Sequence, residues 1–262
     1  MIVYLTIGEQ PSGIFLGQVI DVVQFMQTNL QRKVKLVAFI SGRDFFKNRK
    51  KIRRLSPGAI VLPMLPGLAR WKKNRFVLYA ICLMLRPHTI IARNILAAKL
   101  ALFARNKKLA RRAVLDGRGA IAAEWHEYEV VQEASLKENI FAWEKEAVLE
   151  SDAQIAVSKR LIAYWERSFG FKKNTAVVIP CTINQVFLNL QIEADTIAAQ
   201  RAAMGIDKDA ILLVYSGSIA GWQSFSLLGA FLEQIMKSHA KVVLYFLSSK
   251  TREVVQLMET YP

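Results

Sequence analysis

Two cysteines in 262 residues, Cys82 and Cys181, are too few and too widely separated to form a disulfide framework or a metal-ligand spacing. Their scarcity fits a reducing compartment. Long hydrophobic runs are also missing. The longest, residues 76–85, has ten residues, about half the length that crosses a bilayer. Met1 to Ile7 leads straight into a turn without a basic n-region or a small-residue cleavage site, so no secretory signal is expected. There is no internal repeat and no low-complexity tract. Acidic side chains are scarce in one half only. Residues 1–118 carry 23 Lys and Arg against 4 Asp and Glu, a net +19, whereas residues 119–262 carry 13 against 17, a net −4, within the overall +15. Such a field attracts anions, whether nucleic acid, anionic phospholipid or a phosphorylated substrate. Charge does not choose among them.

What is present is apolar: 53% of residues are hydrophobic and 22% charged, which excludes a disordered or collagen-like chain. The length suits one large or two modest domains, and two are expected. Residues 2–7 are a nearly continuous apolar run closed by Gly8 and Pro11, the pattern of a strand buried on both faces. Residues 14–30 place apolar side chains at helical intervals, and residues 34–40 form a second strand. Further strands are expected at 59–62, 89–92, 113–115 and 153–157, with helices over 68–85, 95–104 and 122–149. This alternation predicts α/β architecture with parallel strands. A second series begins with a strand at 176–179. It continues with a helix at 196–204, a strand at 211–215, a helix at 225–236, another buried strand at 242–247 and a last helix at 252–258. The boundary between two nucleotide-binding-like units is expected between residues 180 and 190.

Several segments recur in a family order. Asp116-Gly117-Arg118-Gly119 is followed by Glu124, a long acidic helix with Glu144 and Glu150, and then residues 151–159 (SDAQIAVSK). After these come Val178-Ile179-Pro180-Cys181-Thr182-Ile183-Asn184 with Phe187, Arg201-Ala202-Ala203-Met204-Gly205-Ile206, and Val214-Tyr215-Ser216-Gly217-Ser218. The series, from about Arg93 to Leu247, resembles the family 4 glycosyltransferases of the GT-B fold. The resemblance implies two Rossmann-like, doubly wound parallel-sheet domains facing each other. Residues 1–182 would form the acceptor-side domain and 183–262 part of the nucleotide-sugar domain, with transfer across the cleft and usually retention at the anomeric carbon. The expected fold class is therefore α/β, GT-B-like, with the second domain incomplete. Two departures stand out. The Arg common after the turn glycine is replaced by Ser218, and residues 219–225 hold no cation. The paired glutamates eight residues apart would belong downstream of the residues present. The chain is accordingly expected to be a fragment without full activity.

Ligands of open α/β sheets sit beyond the carboxyl ends of the strands, and the resemblance implies the roles of the candidate residues at and near those ends, a histidine in the acceptor-side cleft included. Asp116, Glu124 and His126 are the catalytic candidates, a carboxylate being able to deprotonate an acceptor hydroxyl. Gly8, Gly13, Arg93, Asn94 and Arg118 are the acceptor-binding candidates, with Arg118 able to grip a phosphate bidentately. Ser216, Gly217, Ser218 and Gly221 form a small-residue turn whose amides would approach the donor diphosphate. The ordinary alternatives remain open. Asp116 would cap the next helix and Arg118 pair locally; Ser216–Gly221 would be a plain strand-to-helix turn; Ser158 reads as an N-cap. The acids through Glu150 read as a solvated helix face, and no metal site is expected. No cofactor is expected beyond the nucleotide-diphosphate sugar as donor substrate.

Residues 68–86 mix Arg70, Lys72, Lys73 and Arg75 with Trp71, Phe76, Leu78, Tyr79 and Leu83, as an amphipathic segment at an anionic membrane would. Residues 47–54 add six cations in eight positions. The alternative is a buried crossover helix with a wet basic face. The expected partners are a nucleotide sugar, a glycan or lipid-linked acceptor of envelope polysaccharide synthesis, and an anionic membrane surface. The expected location is the cytoplasm, peripheral on the inner face of the plasma membrane. Two other classes stay open: a non-catalytic relative acting as a partner module, and a nucleic-acid-binding protein, for which the basic half is the whole case.

Overall fold

The computed structural model describes all residues except 130, 132, 173, 185–186, 218–224, 249–250 and 260–262, together with the side chains of 225, 226 and 257. Ser218 and Gly221 thus lie outside the described residues. The chain divides into two compact units, Met1–Phe187 and Leu188–Pro262.

The first unit is a seven-stranded sheet in the order β3-β2-β1-β4-β5-β6-β7. Its strands are β1 (Ile2–Ile7), β2 (Val34–Ile40), β3 (Ile60–Pro63), β4 (Thr89–Arg93), β5 (Arg112–Gly117), β6 (Ala153–Ala156) and β7 (Ala176–Val178). Every neighbouring pair is parallel, so each connection must cross over one face of the sheet. The chain runs outward from β1 through β2 to β3, then returns past β1 to lay down β4 on its other side. The switch point of the topology is therefore the gap between β1 and β4, where open sheets of this kind bind ligands.

Alternation along the strands sorts the side chains onto two faces. Val3, Leu5, Ile90, Ala92, Ala113 and Leu115 point into the larger core. Covering that face are α4 (Asn74–Leu85), α5 (Asn94–Asn106), α7 (Ala134–Glu150) and α8 (Lys159–Phe169). Tyr4, Leu36, Ala38 and Ile40 point to the other face, packed against α1 (Gly13–Phe15), a π-helical turn at Leu16–Ile20, α2 (Asp21–Thr28) and α3 (Phe45–Leu55). With both faces covered, strands can be apolar at consecutive positions, which is why β1 buries five of its six residues.

Three expectations change. Residues 122–149 are two helices, α6 (Ile121–Glu127) and α7; Glu129 between them takes a left-handed φ of 48°, which a continuing right-handed helix does not allow. The acids of α7 are not all solvated, because Glu144 is fully buried. Residues 68–85 begin as a 3-10 helix at Leu68–Lys73 before α4 starts, and the basic run after β2 is the helix α3.

The second unit contains α9 (Ala194–Ala203), β8 (Ile211–Ser216), α10 (Phe225–Ser238), β9 (Val242–Leu247) and α11 (Thr251–Met258). β8 and β9 pair in parallel. β9 was read as a buried strand, but none of its residues is buried and Tyr245 and Leu247 are exposed. Each strand has a single partner among the described residues.

Candidate functional site

At the carboxyl ends of β1, β4 and β5, polar side chains crowd the face otherwise filled by Tyr4, Leu36 and Ala38. Register places Arg93 beside Asp116, and Ile91 beside Tyr4. Because side chains alternate, Tyr4, Thr6, Arg93 and Asp116 all project toward the same covering segment, residues 13–28. Asp116 is 1% exposed. Its Oδ2 accepts hydrogen bonds from the Tyr4 hydroxyl and from Arg118 Nη2 at 2.9 Å. The Arg118 Nε lies 2.9 Å from Oδ1, an ion-pair contact without hydrogen-bond alignment. Burial and the neighbouring carboxylate push the Tyr4 phenol far above its ordinary range, so it stays a neutral donor. Arg118 loses some basicity to burial, but Asp116 more than restores it.

A second pair lies at the switch point itself. Glu9, directly after the Gly8 turn, accepts from Arg93 Nε at 2.9 Å on both oxygens and from Asn94 Nδ2 at 2.7 Å. Gly8 holds φ +82°, a conformation that favours glycine, and its N–H donates to Phe39 at 2.8 Å. Asn94 opens α5 with φ +65°, which asparagine tolerates better than most residues. Burial raises the Glu9 carboxyl above the usual range, against the lowering effect of Arg93.

Gln18 joins the two pairs. It sits in the π-helical turn, a geometry common at functional sites. Its side-chain oxygen accepts from Arg118 Nη1 at 3.2 Å, its carbonyl faces Arg93 Nη1 at 3.5 Å, and its amide donates to the Thr182 carbonyl at 2.7 Å. Besides Asp116 Oδ1 and Arg118 Nε, which meet only as an ion pair, two further buried atoms of this region have no hydrogen-bond partner among the described residues, Thr6 Oγ1 and Asn94 Oδ1. A buried polar atom left unpaired is costly, so these positions are held by the packing around them.

The loop after β5 is held from beneath. A Cβ on Gly117 would lie 2.6 Å from the Trp165 ring, so only glycine lets the strand end rest on that indole. On Gly119 a Cβ would fall on the Glu124 carboxylate, which turns back to the Ala120 N–H and is pushed upward in pKa by burial. Glu144 reaches from α7 to the start of α6, its Oε2 accepting from the Ala122 N–H at 2.7 Å. Burial raises its carboxyl to about 7 despite the donors around it, one of which, the Trp165 indole N–H, approaches without good alignment.

The structure therefore brings together Arg93, Asn94, Asp116 and Arg118, with Gly8 at the same strand ends. Glu124 serves the turn into its own helix. His126 is exposed on α6. Gly13 opens α1 with open space where a Cβ would stand. Ser158 caps α8, accepting from the Leu161 N–H at 3.2 Å. In the second unit, Ser216 ends β8 exposed and the Gly217 N–H meets the Leu247 carbonyl at 3.4 Å. Glu9, Tyr4, Thr6 and Gln18 were not anticipated. Tyr4 and Thr6 carried a faint signal as the polar-tipped residues of an aliphatic strand, and Glu9 as the first charge after the central strand.

The seven-stranded parallel sheet and its two helical layers are Rossmann-like, and the fold is that of GT-B glycosyltransferases. No family model matches the sequence, and no curated protein sequence matches it. Among solved structures, the chain is similar to sucrose-phosphate synthase from Thermosynechococcus elongatus, with TM-score 0.70 and 16% identity over 100% of this chain and 68% of that one. It is similar to Anabaena HepE, solved with UDP and glucose, with TM-score 0.69 and 14% identity over 99% of this chain and 65% of the other. It is also similar to UDP-N-acetylglucosamine 2-epimerase from Rickettsia bellii, with TM-score 0.51 and 14% identity over 97% and 63%. The chain thus spans about two thirds of the length of the structures it matches. Among the described residues, no helix is long and apolar enough to cross a membrane.

Proposed function

We propose that the protein takes part in glycosyl transfer from a nucleotide-diphosphate sugar, with the crevice between β1 and β4 receiving the acceptor. The observation that carries this reading is the set of interlocked carboxylate and arginine side chains at the switch point of the sheet. Such a site works by positioning and electrostatics, with no dedicated nucleophile. Asp116 orients Arg118 and does not itself meet the acceptor. Glu9 is the more open carboxylate, its side chain 19% exposed, and its raised proton affinity suits it to accept the acceptor hydroxyl's proton. Arg93 and Asn94 fix Glu9, while Gly8 leaves the approach open. Ser216, Gly217, Ser218 and Gly221 are assigned to the donor diphosphate, and Glu124 and His126 border the acceptor loop. The family resemblance extends the reading to retention of anomeric configuration. It also extends it to a glycan or lipid-linked acceptor of envelope polysaccharide synthesis, met at an anionic membrane face.

The mutual neutralisation of Arg93 by Glu9 and Arg118 by Asp116 also favours a second reading, a relative that binds sugar nucleotide or glycan without turning it over. Calorimetric titration of the protein with UDP-, ADP- and GDP-sugars, followed by product analysis with glycan acceptors, tests both. Binding with transfer supports the first reading, and binding without turnover the second. Conversion of the sugar in place would replace transfer by epimerisation. Absence of binding to every nucleotide sugar overturns both readings.

A further inference from the structure

The helix α4 is apolar on two sides, and only one of them is used. Asn74, Leu78, Ile81 and Cys82 are buried toward the core. On the outer side Phe76 is 63% exposed, Leu83 54% and Met84 69%, with Val77 and Tyr79 also open. A crossover helix needs one apolar stripe to close a core, and the opposite stripe is normally polar. Here the expectation of a wet basic outer face fails, because the charges sit at the ends of the helix. Lys72, Lys73 and Arg75 precede or open it, with Arg75 resting on the Phe76 ring at 4.9 Å. At the far end, Arg86, Lys108 and Arg111 line a cavity of about 380 Å³ whose apolar wall includes Cys82 and Leu83.

Those three cations are exposed, and none of them appears in an ion pair among the described residues. No acidic residue occurs in the sequence between Asp44 and Asp116, and Asp152, which reaches the Ala113 N–H, pairs with Arg105. An apolar strip flanked by cations that have no acidic partner among the described residues, one group of which lines a pocket large enough for a phosphate headgroup, matches the cross-section of an anionic lipid surface. A protein partner would need acids complementary to both ends and an apolar ridge between them; a bilayer supplies both from one surface.

We infer that α4 lies in the interface of an anionic bilayer, with Phe76, Leu83 and Met84 among the acyl chains and a phospholipid phosphate held by Arg86, Lys108 and Arg111. This rests on the membrane-side part of the proposed function and names the element that makes the contact. The crevice residues lie at the opposite ends of the strands from the Arg86–Arg111 pocket, so binding of nucleotide sugar and binding of lipid are separable measurements.

Flotation of the full chain with phosphatidylcholine vesicles containing about one third phosphatidylglycerol, at about 0.15 M and about 0.5 M salt, reads the contact. The wild type should float with these vesicles, keep a salt-resistant fraction, and ignore pure phosphatidylcholine. F76S/L83S alters exposed positions only and should lose about tenfold or more of the partitioning, the salt-resistant fraction first. R86E/R111E should lose about tenfold or more, against less than about threefold for R53E/R54E on α3, which changes net charge equally. Unaltered flotation of F76S/L83S, or equal losses for the two charge pairs, would overturn insertion by α4 while leaving general membrane attraction in place. Failure of the wild type to float would remove the membrane contact altogether, with calorimetry of nucleotide sugars still deciding the transferase reading.

Discussion

β5 and β8 are strands of equal length, each followed or closed by a glycine, and β8 is the more apolar, with five apolar residues of six against three. Within β5 four of six residues are buried, whereas β8 buries none. Composition alone would bury β8 more than β5, the reverse of what is found. The difference lies in their neighbours: β5 is hydrogen-bonded on both edges and covered by helices on its core face, while β8 has one partner among the described residues. A parallel strand becomes a rigid platform only when both edges and both faces are occupied. In the first unit that platform carries a network of charges. In the second, the strand before Gly217 has one partner strand among the described residues.

The largest expected contrast is in backbone opening. Amide hydrogen exchange should show β1, β4 and β5 opening only near the global unfolding free energy, and β8 and β9 opening several kcal/mol more easily; uniform protection would erase the distinction. Core truncation should follow the same line. Leu115→Ala, at a fully buried position, is expected to cost about 2–5 kcal/mol, and Val214→Ala, 53% exposed, about 0.5 kcal/mol or less, both by chemical denaturation. Next come the paired turn glycines. Gly117→Ala drives a methyl into the Trp165 ring and should cost about 1–3 kcal/mol. Gly217→Ala has its nearest neighbour among the described residues at 3.4 Å, the Tyr215 hydroxyl, and should shift stability by less than about 1 kcal/mol. Equal losses would mean that the two turns are equally constrained.

A smaller, pH-dependent effect belongs to the first unit alone. Burial raises the Glu144 carboxyl to about 7, so the folded state prefers it protonated and its contribution is complete below the ordinary glutamate range. That contribution is lost as pH climbs through about 7. Glu144→Gln keeps an acceptor for the Ala122 N–H and removes the titration. Its Tm should therefore match the wild type near pH 4 and exceed it increasingly toward pH 8, by the equivalent of about 1–3 kcal/mol. A constant Tm difference across that range would show that Glu144 does not titrate there.

The strands of the first unit were legible because continuous apolar runs bounded by Gly and Pro have few other physical solutions in a chain of this composition. Ser158 was readable as a cap for the same local reason. Less was readable where distant residues decide. Periodicity carried one helix through residues 122–149, since it records apolar spacing and not the left-handed turn at Glu129. Glu144 looked like any surface acid because nothing local says that the start of α6 will be brought against it. Arg93, Asn94, Asp116 and Arg118 could be placed at strand ends from the sequence, but not their partners. Tyr4 and Asp116 lie 112 positions apart, and only the return of the chain past β1 makes them neighbours. The outer stripe of α4 was visible as hydrophobicity, and only packing shows which of its residues the core leaves unused.

Gln18 and Thr182 stand 164 positions apart and share one hydrogen bond. That link fastens the first crossover to the segment just beyond the last strand of the sheet, so the near and far margins of the unit meet over Arg118 and Arg93. Damage at the β7 margin, by a nick or a local fraying event, would consequently be felt in the middle of the sheet through the loosened glutamine, without any displacement of the strands that separate them.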